Sequence, residues 1–468
     1  MTGRPVLFVC EKYFLRFYQP LAEQLSAAGF VPIWAAVDDG PGEWTYDWME
    51  TASLIESLAS GVESPAAASF EHICMFERAV FERPDVFRSS YPYTTNVVRS
   101  YERAPQMAWA WYHATLALLR RFTPAAVFIW NGRYLPYSAV SAACAAAGQL
   151  LLTGEIGWIP GTIFLDKGQL STNTTDLSGR DWQSVVADDV RAQAFLREYT
   201  TSKATMVSQQ LHRADEVRRS LLGEGGTFLL LFGCQVDWDT NVVIGARRFR
   251  SNEAAVSFLM ECTASIPGAR IVVKTHPLDA NKREAALQSL LGSRGVVVSD
   301  IHPHTLIEAA DCVAVRNSTL GFEALSYGKP VLVLENAKYN EAGLTFGAEA
   351  VDEFSSAVAR IAGGDRHLPD PTLLDRFVLH LLDRYLVPVR YEYLFEPAKL
   401  GLLAHFARND SHQMLKQLLT RSAGVKAIEL DQHVVELIDG CHLQRPKPMS
   451  FLSRQAKRIS TWMSRARV

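Results

Sequence analysis

The sequence predicts an α/β protein built from two Rossmann-like units, followed by a helical region. Short apolar runs alternate with helical patterns, glycines end several of those patterns, and a glycine-rich turn at residues 223–226 separates two such sets. Alternating strands and helices are typical of parallel sheets with helices on their faces. Because such sheets bind ligands beyond the carboxyl ends of their strands, we expect the ligand in a cleft between the two units.

Four strands are predicted in the first set. They are residues 6–10, 31–37, 125–130 and 149–153, each rich in apolar residues. Helices are predicted at 20–28 and 138–147, because Gly29 and Gly148 follow them and glycine commonly ends a helix. The aromatic-rich stretch from about 40 to 100 is predicted to be an insertion of helices.

The second set follows a polar helical stretch from 181 to about 222. Its predicted strands are 227–232, 270–274, 295–299, 312–316 and 330–335. Its predicted helices are 252–265, 282–291, 303–310 and 321–327, and a further helical pattern begins near residue 370. We therefore predict three regions, at 1–205, 206–368 and 369–468.

Composition argues against several classes of protein. The 468 residues carry 47 Lys and Arg against 50 Asp and Glu, whereas binding to a nucleic-acid backbone calls for a basic excess. Seven cysteines without a CxxC pair predict reduced thiols in core positions rather than disulfides or a zinc site. With neither a signal-peptide pattern nor a membrane-spanning run, the sequence predicts a cytoplasmic protein.

The last 26 residues differ from the rest in charge. From Leu443 onward there are seven Lys or Arg and no acid, interleaved with apolar residues such as Phe451 and Trp462. This pattern is typical of an amphipathic helix lying on an anionic membrane surface. A solvated tail is an equally good interpretation of the pattern alone. Residues 443–468 are thus a candidate contact with the inner membrane.

Two blocks with phosphate-compatible chemistry end predicted strands of the second set. The first is Lys274-Thr275-His276-Pro277, and the second runs from Arg316 to Gly321 and opens a helix that contains Glu323. Small hydroxyl residues and glycine at a helix start present free backbone N–H groups to an anion. Each block alone has a simpler explanation, as a strand-end turn or a helix cap. Together they predict a site for a nucleotide phosphate.

Carboxylates elsewhere in the sequence are candidates for catalysis. Glu155 follows a predicted strand of the first set, which would direct it toward the cleft, although an exposed loop carboxylate is the simpler interpretation. Asp237-Trp238-Asp239 resembles a metal-binding DxD, but no further ligand is evident, so no metal is predicted. Neither a Walker A motif nor a GxGxxG occurs, which argues against an ATPase and a dinucleotide-dependent dehydrogenase.

Taken in order, these segments resemble the capsule polysaccharide biosynthesis proteins over about residues 125–350. The matching stretches are 130–133, 155–158, 235–239, 274–277, 317–330 and 339–345. The resemblance implies a GT-B-like fold, with two Rossmann-like domains facing across a cleft. It also implies a retaining β-Kdo transferase that takes Kdo from CMP-Kdo, or another nucleotide sugar, without a cofactor. The acceptor would be a glycolipid or a growing polysaccharide.

By position, the resemblance implies that Glu155 is the general acid/base and Asp239 a candidate nucleophile. Retaining transfer by double displacement needs two carboxylates beside the anomeric carbon. This chain has Ile156 where many relatives carry a second carboxylate, and Ile159 where they carry an arginine. The implied donor-binding residues are Gln235, Lys274, His276, Asn317, Ser318, Thr319 and Glu323, and the other cleft residues are Asn131, Arg133 and Arg316.

Two further functions fit the same residues. A teichoic-acid-type phosphotransferase, which moves an alditol phosphate from a CDP-activated donor, has similar His-Pro and Ser/Thr-Gly blocks but does not need Glu155 and Asp239. A non-catalytic nucleotide-sugar-binding protein of an export complex would keep Lys274 and His276 and tolerate loss of the carboxylates.

Overall fold

Two mainly parallel β-sheets covered by helices form the protein. The computed structural model describes residues 3–38, 47–62, 67–82, 103–168, 182–203, 205, 209–277, 279, 283–347, 350–365, 368–389, 401–422 and 430–444. One sheet has seven strands and the other six, and they come from successive parts of the chain. The predicted α/β fold with two Rossmann-like units is confirmed.

The first sheet has the strand order β13-β6-β5-β4-β1-β2-β3. Strands β1 to β5 are parallel, whereas β6 and β13 are antiparallel to their neighbours. The chain returns to this sheet late, since β13 comes after the whole second sheet. Its strands are β1 (Arg4–Cys10), β2 (Phe30–Ala36), β3 (Trp48–Glu50), β4 (Val127–Trp130), β5 (Leu151–Ile156), β6 (Thr162–Lys167) and β13 (Val387–Pro388).

The second sheet is parallel throughout, in the order β12-β11-β10-β7-β8-β9. The central strands β7 and β10 are buried along their whole length, as continuous apolar strands covered on both faces should be. Its strands are β7 (Phe228–Gly233), β8 (Ala269–Lys274), β9 (Gly295–Val298), β10 (Cys312–Val315), β11 (Val331–Val333) and β12 (Phe346–Gly347).

Helices connect the parallel strands and cover the sheets. In the first unit they are α1 (Leu15–Ala27), α2 (Ala52–Gly61), α3 (Met75–Phe81), α4 (Ala104–Phe122) and α5 (Tyr137–Ala147). The second unit follows α6 (Asp189–Ser202) and contains α7 (Ala214–Leu222), α8 (Thr240–Val243), α9 (Asn252–Cys262), α10 (Glu284–Leu291), α11 (Pro303–Ala309), α12 (Leu320–Ser326) and α13 (Val351–Ala362). The later helices are α14 (Pro371–His380), α15 (Ser411–Arg421) and α16 (Gln432–Gly440).

Helix α1 begins five residues before the predicted start, which was placed at Pro20. Proline is favoured in the first turn of a helix, so Pro20 is compatible with that later start. In the structure Leu15, Phe17 and Tyr18 are buried, so the apolar face already exists before Pro20. Burial of that face determines where the helix begins.

Strand β5 extends to Ile156, so Glu155 lies in the strand rather than in the predicted loop after it. Gly154 permits this path, because a Cβ at that position would overlap the Tyr18 hydroxyl. The hairpin partner β6 was not predicted. It follows Pro160-Gly161, and Gly161 has a φ of 83°. A Pro-Gly pair between two apolar runs is a turn signal, so this pair could have revealed the hairpin.

The β5–β6 hairpin joins the two units. Trp158 at its tip stacks on Phe322 of α12, with ring centroids 5.1 Å apart. Ile159 and Phe164 belong to the same apolar cluster as Phe322 and Tyr339, so the hairpin contributes to the core under the second sheet. The first sheet has its own, separate core around β1 and β4.

Six of the seven cysteines are buried, as the sequence predicted for core thiols. Among the described residues, none of the helices has the length and apolar character needed to cross a membrane. Almost all of the basic tail, residues 445–468, lies outside the described residues, as does much of the 40–100 insertion. The predicted region 369–468 contains α14 to α16 and also β13, which was not expected there.

Candidate functional site

Asn131 joins Glu155 to the segment that bears Asp239. It follows β4 with a left-handed φ of 60°, a conformation that asparagine tolerates better than most residues. Its Nδ2 donates to Oε2 of Glu155 at 2.9 Å and to Oγ1 of Thr240 at 3.1 Å. Thr240 is the first residue of α8, directly after Asp239. A single side chain therefore ties β5 of the first sheet to the Asp239 segment of the second unit.

The surroundings of Glu155 bring the pKa of its carboxyl close to neutral pH. Burial raises the pKa of its carboxyl to about 7, and the nearby charge of Asp239 adds to the increase. Hydrogen bonds from Asn131 and from the Ile156 N–H, together with the charge of Lys338, act in the opposite direction. A carboxyl with such a pKa can both accept and return a proton near pH 7.

Asp239 caps the short helix α8, its Oδ1 accepting from the N–H of Asn241 at 2.8 Å. Burial raises the pKa of Asp239, while the hydrogen bonds from Asn241 and the charges of Arg316 and Arg133 lower it. Arg133 follows β4 and Arg316 follows β10. The structure thus groups Asp239 with a cation from each unit.

Gln235 and Asn317 are bonded to each other. Gln235 Nε2 donates to Asn317 Oδ1 at 2.8 Å, and Asn317 N–H donates back to Gln235 Oε1 at 3.2 Å. Asn317 Nδ2 also donates to the carbonyl of Asn241 at 3.2 Å. Both side chains are buried, so their visible role is to join the ends of β7 and β10 to α8.

Ser318 and Thr319 form the turn before α12. Ser318 Oγ accepts from the N–H of Leu320 at 3.3 Å, and the Tyr339 hydroxyl donates to the Ser318 carbonyl. Thr319 is exposed and its side chain makes no cap hydrogen bond. The turn predicted to bind a phosphate therefore follows β10, and its contact with a phosphate stays a prediction.

Lys274 and His276 lie at the carboxyl end of β8, the strand next to β7. The Lys274 ammonium is buried and donates to the carbonyls of Thr275, at 3.3 Å, and Ser299. Burial lowers its pKa to about 8, and the charge of Asp300 opposes that change. Burial also lowers the pKa of His276. The bonds of Lys274 therefore run toward β9.

Glu323 faces a different part of the second unit. Its Oε2 lies 3.8 Å from Nε2 of His304 on α11, and burial raises its pKa to about 7. Within the described residues no hydrogen bond or ion pair joins it to Asp239, Gln235 or Lys274. The structure groups Glu323 with His304, and its predicted contact with the donor stays a prediction.

Lys338, which joins the two units, was not among the predicted site residues. Its buried ammonium lies 3.2 Å from Oδ2 of Asp166 on β6 and donates to the Tyr385 hydroxyl at 2.7 Å. The adjoining stretch 339–345 is part of the family resemblance. The position of Lys338 directly before that stretch is the signal that could have identified it. Glu335, after β11, was also missed.

Asp237 of the apparent DxD motif forms an ion pair with Arg283 at 2.8 Å. Its carboxylate therefore already has a cationic partner. Across the ranges that the structure describes, no three His, Cys, Asp or Glu side chains cluster as metal ligands would.

A cavity of about 860 Å³ opens beside Arg133 on the first-unit side of the site. Its wall is formed by α5, the start of β5 and α15. Arg133, Lys167 and Arg421 line it together with serines and apolar side chains, and no Asp or Glu is among the described lining residues. The arrangement suits a ligand with an anionic group.

Residues 188–382 match the family model for "Capsule polysaccharide biosynthesis protein". That segment contains Gln235, Asp239, Lys274 and Asn317, whereas Glu155 precedes it. The Capsule polysaccharide export protein KpsS of Escherichia coli is 35% identical over 83 residues, which is 16% of this chain and 21% of that protein. The chain thus matches about a fifth of its relative's length. The resemblance to this family, predicted from sequence, is confirmed over that segment.

Solved structures with similar folds include two kinds of protein. The beta Kdo 2,7 transferase of Thermosulfurimonas dismutans KpsC is 19% identical, covering 57% of this chain and 84% of that one, with a TM-score of 0.36. A Rickettsia africae glycosyltransferase is 10% identical over 90% and 100% of the two chains, with a TM-score of 0.36. A UDP-GlcNAc 2-epimerase of Neisseria meningitidis is 12% identical over 89% and 100%, with a TM-score of 0.35.

Proposed function

We propose that this protein is a glycosyltransferase of capsule polysaccharide biosynthesis that transfers Kdo from CMP-Kdo with retention of configuration. The observation that carries the proposal is the link through Asn131, which places Glu155 beside the segment bearing Asp239. Two carboxylates from opposite units, with the charge of Asp239 raising the pKa of Glu155, are the groups that a double displacement requires.

In the first step, the Asp239 carboxylate attacks the anomeric carbon of Kdo, and the bond to the CMP phosphate oxygen breaks with its electron pair leaving on CMP. The products of this step are a glycosyl ester of Asp239 and free CMP. The positive charges of Arg133 and Arg316 favour the ionised, nucleophilic form of Asp239.

In the second step, an acceptor hydroxyl attacks the same carbon and the ester bond breaks, which restores the Asp239 carboxylate. Glu155 takes the proton of that hydroxyl. A pKa of about 7 suits this role, because a carboxyl that titrates near neutral pH can accept a proton there.

The donor would lie at the carboxyl edge of the second sheet. The Ser318–Thr319 turn would offer backbone N–H groups to the phosphate, and His276 would offer a ring nitrogen. Lys274 would add a positive charge nearby. Gln235 and Asn317 would shape the floor under the sugar. The cavity beside Arg133, with three basic residues in its lining, suits an acceptor that carries anionic groups, such as a glycolipid or an acidic saccharide.

We propose a cytoplasmic location with a peripheral contact to the inner membrane through residues 443–468. A lipid-linked acceptor would be more concentrated around an enzyme held at that surface. Deletion of 443–468 should move the protein from the membrane fraction to the soluble fraction and leave activity on a soluble acceptor unchanged. An unchanged distribution would exclude the membrane contact.

The decisive experiment is incubation with a panel of CMP- and UDP-sugars, with nucleotide release and the intact mass of the protein measured in parallel. We expect CMP release from CMP-Kdo and a protein adduct heavier by one Kdo residue. Nucleotide release without any adduct would argue against a covalent intermediate. Turnover of a different sugar would correct the donor.

A non-catalytic role in capsule assembly is the second candidate, and Ile156 supports it, because the resemblance implies a second carboxylate at that position. Such a protein would bind a CMP-sugar with measurable affinity and release no CMP. A teichoic-acid-type phosphotransferase would instead stay active in both the Glu155→Gln and the Asp239→Asn variants. The three functions therefore predict three different outcomes for wild type and these two variants.

A further inference from the structure

We infer that Glu335 and Arg316 are positioning residues that hold the Asp239 segment in its reactive place. We call the two residues and their hydrogen bonds the Arg316–Glu335 clasp. They follow the adjacent strands β10 and β11 and are joined directly, since the Glu335 N–H donates to the Arg316 carbonyl at 3.0 Å. The inference rests on the proposed function, in which Asp239 is the nucleophile.

Glu335 binds one end of the segment. Its carboxylate accepts three successive backbone N–H groups, from Arg247 at 3.1 Å, Arg248 at 2.8 Å and Phe249 at 2.6 Å. Hydrogen bonds to an ionised acceptor are about twice as strong as those between neutral groups. The chain after α8 is therefore fixed against the end of β11 by a side chain, without a strand pairing.

Arg316 binds both ends of the segment. Its guanidinium is 0% exposed and donates to the carbonyls of Gln235 and Phe249, each at 3.3 Å. Gln235 precedes Asp239 by four residues and Phe249 follows it by ten. Both ends of the segment between them are therefore hydrogen-bonded to the Arg316 side chain.

The charges around Arg316 point to a role beyond packing. Burial lowers the pKa of Arg316, while the carboxylates of Asp237, Asp239 and Glu335 and the Cys234 thiol raise it. A buried ion pair often contributes no more stability than well-packed apolar side chains would. A fully buried arginine among three carboxylates is therefore better explained by what it positions than by the stability it adds.

In the described part of the chain, the side-chain hydrogen bonds of Arg316 and Glu335 go to Gln235 and to residues 247–249, and none goes to Lys274 or Ser318. Loosening the clasp should displace Asp239 more than it displaces the predicted phosphate site. A misplacement of about 1 Å in a reacting group can cost about 100-fold in rate. The expected signature is a fall in kcat with little change in KM for the donor.

The test compares Glu335→Gln with wild type and with Glu353→Gln, an exposed glutamate on α13 of the same unit. In Glu335→Gln an amide N–H₂ replaces one of two oxygens that accept backbone N–H groups, so at least one bond is lost. We expect kcat to fall by about 10- to 100-fold with KM for CMP-Kdo within about twofold. Glu335→Asp keeps the charge and should recover part of kcat.

The pH profile adds a readout that a purely structural role would not move. Asp239 is faced by Arg316, Arg133 and Glu155, and the two arginines lower its pKa. If the segment moves away from Arg316, the pKa of Asp239 rises. The acidic limb of kcat/KM for CMP-Kdo, which reports attack by Asp239 rather than proton removal by Glu155, should therefore shift to higher pH in Glu335→Gln and stay in place in Glu353→Gln.

Hydrogen–deuterium exchange tests the clasp without any assay of transfer. Amides of residues 240–249 should exchange faster in Glu335→Gln than in wild type or Glu353→Gln, while β7 and β10 remain protected. If wild type proves inactive with CMP-Kdo, this measurement still decides the clasp, and the failure belongs to the proposed function alone. Unchanged exchange, or a loss of kcat that only follows a lower melting temperature, would overturn the inference.

Discussion

The carboxyl edges of the two sheets use polar side chains in different ways. At the first edge, Asn131, Arg133 and Glu155 act across the cleft on the Asp239 segment. At the second edge, Gln235 and Asn317 bond to each other and Lys274 bonds to backbone carbonyls. Polar residues at strand ends thus divide into those that reach the opposite unit and those that build the loops of their own. Substitutions at the two edges should have correspondingly different effects.

The largest effect is expected for Asp239→Asn. An amide cannot serve as the nucleophile, so kcat should fall by about 1,000-fold or more, and the covalent Kdo adduct should disappear from the intact mass. Asp215→Asn, at an exposed aspartate of α7, is the matched control. Retained activity with an unchanged adduct would assign the nucleophile to another residue.

Glu155→Gln comes next, with an expected loss of about 100- to 10,000-fold in the acceptor-dependent step. In wild type the rate should fall as the pH drops through about 7, because protonation of Glu155 removes the base. The variant should lose that dependence. A wild-type limb near pH 7 that persists in Glu155→Gln would assign the titration to a different group.

Asn131→Ala and Thr240→Val separate the two bonds of the linking side chain. The first removes both bonds, and we expect about a 10-fold lower kcat together with a higher pKa for Glu155, since Asn131 lowers that pKa. The second removes only the bond to α8 and should cost less. Pre-steady-state rates and pH profiles of both variants would measure the difference, and equal effects would mean that only the contact with α8 matters.

The smallest effects are expected at the second edge, with Lys274→Met and Glu323→Gln. If Lys274 binds the donor phosphate, KM for CMP-Kdo should rise by about 10-fold in Lys274→Met while kcat changes little. Glu323 lies beside His304, so its replacement should leave KM within about twofold. A larger change in Glu323→Gln than in Lys274→Met would reverse the assignment of these two residues.

The sequence predicted the elements that depend on local pattern. Apolar runs identified nearly all strands of the parallel sheets, because strands buried on both faces must be apolar throughout. The residues after those strands followed as site candidates from the rule that ligands bind at carboxyl edges. Glu155 was selected in this way, whereas Asn131 and the role of Asp239 came from the family resemblance.

Features that depend on contacts between distant residues could not be predicted. Lys338 and Asp166 are 172 positions apart, and nothing in either local sequence indicates the other. Glu335 acts through backbone N–H groups, which every residue except proline carries, so its partners leave no mark in the sequence. The same limit applies to Glu323, whose position on the helix was clear while the direction of its side chain was not.

The β5–β6 hairpin affects how the protein admits and releases its proposed ligands. Trp158 lies among aromatic rings of the second unit, and Lys338 bonds to Asp166 of the same hairpin. A swing of the two units about a hinge would have to extract the indole and leave buried charges unpaired, at a cost of several kcal/mol. Turnover limited by such an opening would be slow and strongly temperature-dependent. We expect ligand exchange to depend instead on loop motions around a cleft of nearly constant width.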